Sequence, residues 1–361
     1  MIMEVNKMVE RIFEAKVAQL LPGDIIAADV YSSNGKILVV KNTKVTDAII
    51  LGLKKNYIYS VFIFRSVNEE EAIIDADIRK IISKEAEEII NKYVVKFVKK
   101  DRNIQDIKNI ILDTLMVDKV FALIFSLRSL GENIFSHSVC VAFYAIIIGR
   151  ELGLPISRLS ILGTAGLLHD IGMLRIPKEI LNKSESLTEE EKEIIQQHPK
   201  HGFDIMMEYK FSAELCTIVL EHQERYDGTG YPNHLTNEKI HNLAKIIAVS
   251  DVYDALISDR PYRPKNKRSE TVEYLLGTGD FYFNYEIVKA LINAIIVYPY
   301  GQWVELSTKE IGIVVDEEVQ QFNFKPKLLI YFNEKGERLD EPKILDMSYR
   351  ENVNVSIDRI L

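Results

Sequence analysis

Residues 166–177 read "GLLHDIGMLRIP", an apolar run that ends in an adjacent histidine and aspartate, His169 and Asp170. Neighbouring side chains on a helix point about 100° apart, so the pair serves one purpose only if both flank a central object. A metal ion is such an object: imidazole nitrogen takes one side, and a carboxylate can reach across to a second ion. A helix terminus with a capping aspartate explains the same dipeptide, and the dipeptide alone leaves both readings open.

Working outward, all seven histidines lie between residues 137 and 241. His137 begins the apolar helical run "HSVCVAFYAIIIG", and His198 precedes a proline in "QQHPKHG". His222 stands near the end of "AELCTIVLEHQERY", and Asp251 lies in the apolar run "IIAVSDVYDALIS" with Asp254 one turn on. An ionised aspartate in such a run costs several kcal/mol unless it is paired or ligates a metal. Each position has an ordinary explanation by itself. Together, four histidines and two aspartates on five helical segments form what a two-metal site inside a helix bundle requires.

The rest of the chain frames that block. Its 361 residues suit two or three domains, and 47% hydrophobic with 27% charged residues is a globular composition. A net charge of −8 argues against a nucleic-acid duplex as main partner, while leaving room for a small anionic ligand. Cys140 and Cys216 sit in apolar helical runs and read as buried thiols of a reducing cytoplasm. The N-terminus lacks a continuous apolar segment, and the stretch 139–149 is shorter than the about 20 residues a membrane span takes. A cytoplasmic protein without membrane insertion is therefore expected.

The expected fold is mainly α, a helix bundle flanked by small β-rich N- and C-terminal modules. A strand-rich domain is expected over 1–66, with a hairpin at Asn34-Gly35, and connector helices over 67–130. The helical domain follows over 131–300, and a β module over 301–361. The long amphipathic helix near 68–100 is either a spacer or the contact of a homodimer.

The motifs "LLHDIG", "HPKHG", "DGTGYP" and "VSDVYDALISDRPYR", in this order, resemble the HD-GYP family, a branch of the HD phosphohydrolases that hydrolyses cyclic di-GMP. The resemblance covers some 130 residues, from "ENIFSHSVCVA" to "DRPYRP". It implies an HD-type bundle with His137, His169, Asp170, His198, His222 and Asp251 as ligands of two divalent ions, iron or manganese. Asp170 is the implied bridge, and His169 with Asp170 the catalytic pair. It implies cyclic di-GMP as ligand, opened to the linear dinucleotide pGpG or to GMP. Arg260 and Arg263 would meet its phosphates, Lys183 is a looser candidate, and Gly228, Gly230 and Tyr231 would form a loop at the ligand. Two positions depart from the family pattern. Gln223 stands where a second histidine is usual, and Met173 where a lysine is usual. An amide oxygen is a poorer ligand than imidazole, and a thioether cannot bind phosphate. The alternative is therefore a degenerate domain that binds the nucleotide, or a partner, without turnover.

Overall fold

The structure is a computed structural model that describes residues 9–32, 35–67, 69–99, 103–181, 183, 185–258, 265–315, 326–352 and 354–361. The N-terminal module contains strands β1 (Val9–Lys16), β2 (Ile25–Ile26), β3 (Val30–Tyr31), β4 (Ile37–Val39) and β5 (Ser60–Val67), with helix α1 (Asp47–Lys55). β1, β5 and β2 make an antiparallel sheet in that order. β3 and β4 form the expected hairpin; Gly35 has φ 76°, and Asn34 lies outside the described residues. Thr46 caps α1 by accepting from the Ile49 N–H. Ile26, Val45, Leu53, Val61 and Ile63 form a small core of the module's own.

The helices follow as α2 (Glu69–Ile89), α3 (Ile104–Leu115), α4 (Asp118–Arg128), α5 (Glu132–Glu151), α6 (Ile156–Leu168) and the short α7 (Lys178–Leu181). Then come α8 (Glu189–Ile195), α9 (His198–Glu208), α10 (Ala213–Glu221), α11 (Asn242–Ile257), α12 (Arg268–Gly277) and α13 (Tyr285–Ala294). The apolar segment between residues 104 and 128 forms two helices, because Val117 is extended; Arg79 stitches the break by donating to the Met116 carbonyl and pairing with Asp118. Residues 189–208 likewise form two helices, with Pro199 in the first turn of α9, where its missing N–H costs nothing. α12 was not foreseen, since "RSETVEYLLG" buries only Thr271, Val272 and Leu275.

α5 is the central helix. It is 20 residues long and apolar enough to cross a membrane by composition, yet 78% of its most apolar window is buried inside the protein. Burial on all sides accounts for its continuous apolar sequence. The inner face of α2, with Ile82, Ala86 and Ile89, and Ile90 just after it join the same core as α3 to α6, while Ile81 is exposed.

Strands β6 (Trp303–Leu306), β7 (Ile311–Val314), β8 (Lys327–Phe332), β9 (Arg338–Asp346) and β10 (Ile357–Ile360) complete the fold. They form an antiparallel sheet in the order β10-β6-β7-β8-β9. Its inward residues Val304, Leu306, Val314, Leu328 and Ile330 join the helical core, unlike the N-terminal module with its separate one.

Candidate metal centre

Helix ends and one helix interior bring the six candidate ligands together. His169 and His222 end α6 and α10, Asp170 opens the 3-10 turn Ile171–Arg175, His198 starts α9, and His137 and Asp251 face each other from α5 and α11. Gly172 makes this convergence sterically feasible. A Cβ there would stand 1.9 Å from the His198 carbonyl oxygen and 2.5 Å from the Gly202 nitrogen, so only glycine lets the turn touch α9.

The imidazoles are oriented by the backbone. Nδ1 of His169, His198 and His222 donates to the carbonyls of Gly166, Ile195 and Val219 at 2.8, 2.8 and 2.7 Å. A carbonyl only accepts, so each Nδ1 carries the proton and each Nε2 presents a lone pair, as metal-binding histidines do. His198 Nε2 and His222 Nε2 are 3.2 Å apart. Two lone pairs at that distance repel unless a cation or a proton sits with them. Burial together with His198 and His169 lowers the His222 pKa to about 3, so a proton is a poor remedy. His169 Nε2 is fully buried and has no hydrogen-bond partner among the described residues. Two groups, His137–His169–Asp251 and His169–Asp170–His222, each keep their ligand atoms within 4.8 Å of one another. Neutral imidazoles with carboxylates fit divalent iron or manganese as donors.

The Asp170 carboxylate faces both groups. Oδ2 lies 3.4 Å from His169 Nε2, while Oδ1 lies 3.3 Å from His198 Nε2 and 3.9 Å from His222 Nε2. His137 is held between two carboxylates, with Nε2 3.0 Å from Asp251 Oδ1 and Nδ1 2.7 Å from Asp254 Oδ2. Burial alone would lower its pKa, but the bonds to Asp251 and Asp254 overcome that and raise it to about 10.

The two substituted positions also have places here. Gln223 donates from Nε2 to Asp251 Oδ2 at 2.8 Å, so its amide steadies a candidate ligand. Met173 is half-buried on the turn, and its N–H donates to the Asp170 carbonyl.

Tyr231 closes one side, its ring 6.1 Å from that of His198. Burial, then the charges of Asp251 and Asp170, push its hydroxyl pKa upward, so it is a hydrogen-bond donor at neutral pH. Gly228 has φ 81°, whereas Gly230 turns its α-carbon against segment 223–225, where a Cβ would meet Arg225 N at 2.3 Å. Lys183 is engaged with both Glu191 oxygens, at 2.8 and 2.7 Å. Arg260 and Arg263 lie outside the described residues.

Three acids acquire roles that sequence reasoning missed. Buried Glu224 accepts from the N–H groups of Asn233 and Leu235 at 2.7 and 2.9 Å, which pins the loop after Tyr231. Glu221 accepts from the His241 N–H at 2.6 Å and fixes the entry to α11. Asp254 orients His137. The available signal was the acidic residue at the end of, or within, an apolar run.

Residues 87–285 match the HD domain family. A cyclic di-GMP phosphodiesterase of Pseudomonas aeruginosa is 33% identical over 222 residues, 61% of this chain and 53% of that protein. The cyclic di-GMP phosphodiesterase PdeB of Borreliella burgdorferi is 34% identical over 225 residues, 62% of this chain and 59% of that protein. A 3'3'-cGAMP-specific phosphodiesterase of Vibrio cholerae is 37% identical over 142 residues, 39% of this chain and 33% of that protein. The chain thus spans a little over half the length of the first two relatives. The family match takes in more than half of the chain, and the motifs around His169, His198, Tyr231 and Asp251 lie within it. The chain belongs to the HD domain family, in its HD-GYP branch.

Proposed function

We propose that this chain is a metal-dependent phosphodiesterase that opens cyclic di-GMP to pGpG or GMP. The observation that carries the reading is the set of Nε2 atoms of His169, His198 and His222, freed by backbone-bound Nδ1 protons and gathered around Asp170. In this reading His137, His169 and Asp251 would hold one divalent ion, and Asp170, His198 and His222 would hold the other. Iron or manganese, when bound, would supply Lewis-acid stabilisation of charge at phosphorus. The chain's own residues do the positioning. Tyr231 donates its hydroxyl proton toward a phosphate oxygen, and its ring offers a stacking face for guanine. Gly228 keeps the loop tight, and Arg260 and Arg263 balance the ligand's two charges. Lys183 would join them only by leaving Glu191. The two buried free thiols, Cys140 and Cys216, suit a cytoplasmic setting. The reading also keeps a homodimer through the helical connector, residues 67–130, where Ile81, Met116 and Val117 are exposed.

A second reading, nucleotide binding without turnover, is favoured by one observation: Gln223 spends its amide on Asp251. The deciding experiment assays Mn2+-loaded and Fe2+-loaded chain under reducing conditions, with cyclic di-GMP and 3'3'-cGAMP, beside Gln223→His and Met173→Lys. Turnover of cyclic di-GMP by the wild type supports the first reading. Binding with no turnover, restored by the substitutions, selects the second.

A further inference from the structure

The turn that begins at Asp170 ends at Arg175, and Arg175 reaches out of the bundle. Its Nε donates to the Tyr31 hydroxyl and its Nη2 lies 3.7 Å from Asp29 Oδ2, both in the N-terminal module. The same guanidinium donates to Glu208 Oε1 on α9 at 2.8 Å and lies 4.0 Å from Asp204. Its backbone is also met: a Cβ on Gly35, at the tip of the β3–β4 hairpin, would stand 2.5 Å from the Arg175 carbonyl oxygen. Among the described residues the module also meets the bundle through Phe62 against Phe125, the Tyr209 hydroxyl donating to the Ala27 carbonyl, the Lys41 ammonium 3.9 Å from the centre of the Tyr209 ring, and Ala28 against the bundle core. The two modules have separate cores, and a cavity of about 320 Å³ lined by Tyr31, Tyr59, Leu130, Leu174 and Tyr209 opens between them. Polar bonds at Arg175 tie this turn directly to the N-terminal module.

We infer that Arg175 is a positioning residue through which the N-terminal module holds Asp170 in register with His198 and His222. The inference rests on the metal-centre reading above. The turn transmits the position because it is bonded along its length: Met173 N–H donates to the Asp170 carbonyl at 2.9 Å and Ile176 N–H to the Met173 carbonyl at 3.1 Å. Buried Ile171 sets the depth of the turn. The guanidinium fork bonds the far end of the same turn to Tyr31 and Glu208. Only a guanidinium can bond Tyr31 and Glu208 together in fixed geometry; an ammonium is a point charge without the planar fork.

The test is calorimetric Mn2+ titration of the full chain, with thermal unfolding in parallel, for Arg175→Ala, Arg175→Lys, Glu208→Gln and the double variant Tyr31→Phe/Asp29→Asn. Arg175→Ala and the double variant are expected to weaken Mn2+ binding about tenfold, the scale of losing a supporting contact behind a ligand. Arg175→Lys should resemble the double variant, and Glu208→Gln should bind as the wild type does. Under steady-state turnover the loss should fall on kcat more than on KM. Wild-type Mn2+ affinity in the double variant overturns the inference, as does a loss that Glu208→Gln reproduces in step with a lowered Tm. If Arg175→Ala does not fold, the double variant decides alone. Mn2+ binding without hydrolysis by the wild type would remove the phosphodiesterase reading and leave this comparison intact.

Discussion

Replacing Gly172 by alanine tests whether the spacing of the metal centre is set by backbone contact. The added Cβ would lie 1.9 Å from the His198 carbonyl oxygen, 2.5 Å from Gly202 N and 2.8 Å from His198 C. All three are backbone atoms, so no rotamer change relieves the overlap, and contacts under 3.0 Å essentially do not occur. The start of α9 must therefore retreat from the turn by about 1 Å or more, a displacement comparable to those that cost about 100-fold in catalysis. His198 Nε2 now lies 3.3 Å from Asp170 Oδ1 and 3.2 Å from His222 Nε2, and the retreat opens both distances. We expect Mn2+ affinity to fall about 10–100-fold and overpacking to cost about 1–3 kcal/mol of stability. Mn2+ titration and denaturant unfolding measure the two effects separately. An alanine variant that binds Mn2+ and unfolds like the wild type would refute the reasoning, because the contact would then not be setting the spacing.

Four further outcomes are expected. Cation binding needs neutral imidazole, and His137 has its pKa raised to about 10; Mn2+ should release at least one proton near neutrality, and apparent affinity should rise about tenfold per pH unit. A pH-independent affinity would contradict this. In the metal-free chain the same raised pKa contributes stability that is complete below the ordinary value of 6.5 and is lost as pH climbs through about 10. Glu224→Gln leaves one oxygen for the N–H groups of Asn233 and Leu235, so one loses its partner; a loss of about 1–3 kcal/mol and a raised KM are expected from unfolding and steady-state assays. Chelation should abolish turnover and lower Tm, since a ligand at a thousandfold over its Kd stabilises by about 4 kcal/mol, and Mn2+ should restore both; an unchanged Tm under EDTA would speak against a tightly held ion.

The six candidate ligands stand out in the sequence because polar residues contrast with apolar helical runs. His137 and Asp251 interrupt such runs, and His169-Asp170 and His222 end them. The roles of Glu221, Glu224 and Asp254 were not legible, because an acid at a helix end has many uses and its partner is a distant backbone N–H. The fate of Gln223 was equally hidden. From sequence it is a missing imidazole; in space it is a donor to Asp251. Arg175 offered no sequence signal at all, since its partners Tyr31 and Asp29 lie more than a hundred residues earlier.

The sequence by itself indicated a helical block between two strand-rich modules and a need for a buried home for its histidines and aspartates, because local periodicity and residue chemistry suffice for that; the family branch came from the resemblance of its motifs. Only the tertiary structure decided that Nδ1 of His169, His198 and His222 is bound to a carbonyl, that the two oxygens of Asp170 face different histidines, and that the N-terminal module bears on the same turn through Arg175. Those facts depend on helices crossing at glycine contacts and on side chains meeting from remote segments, and such distances are not written in sequence order.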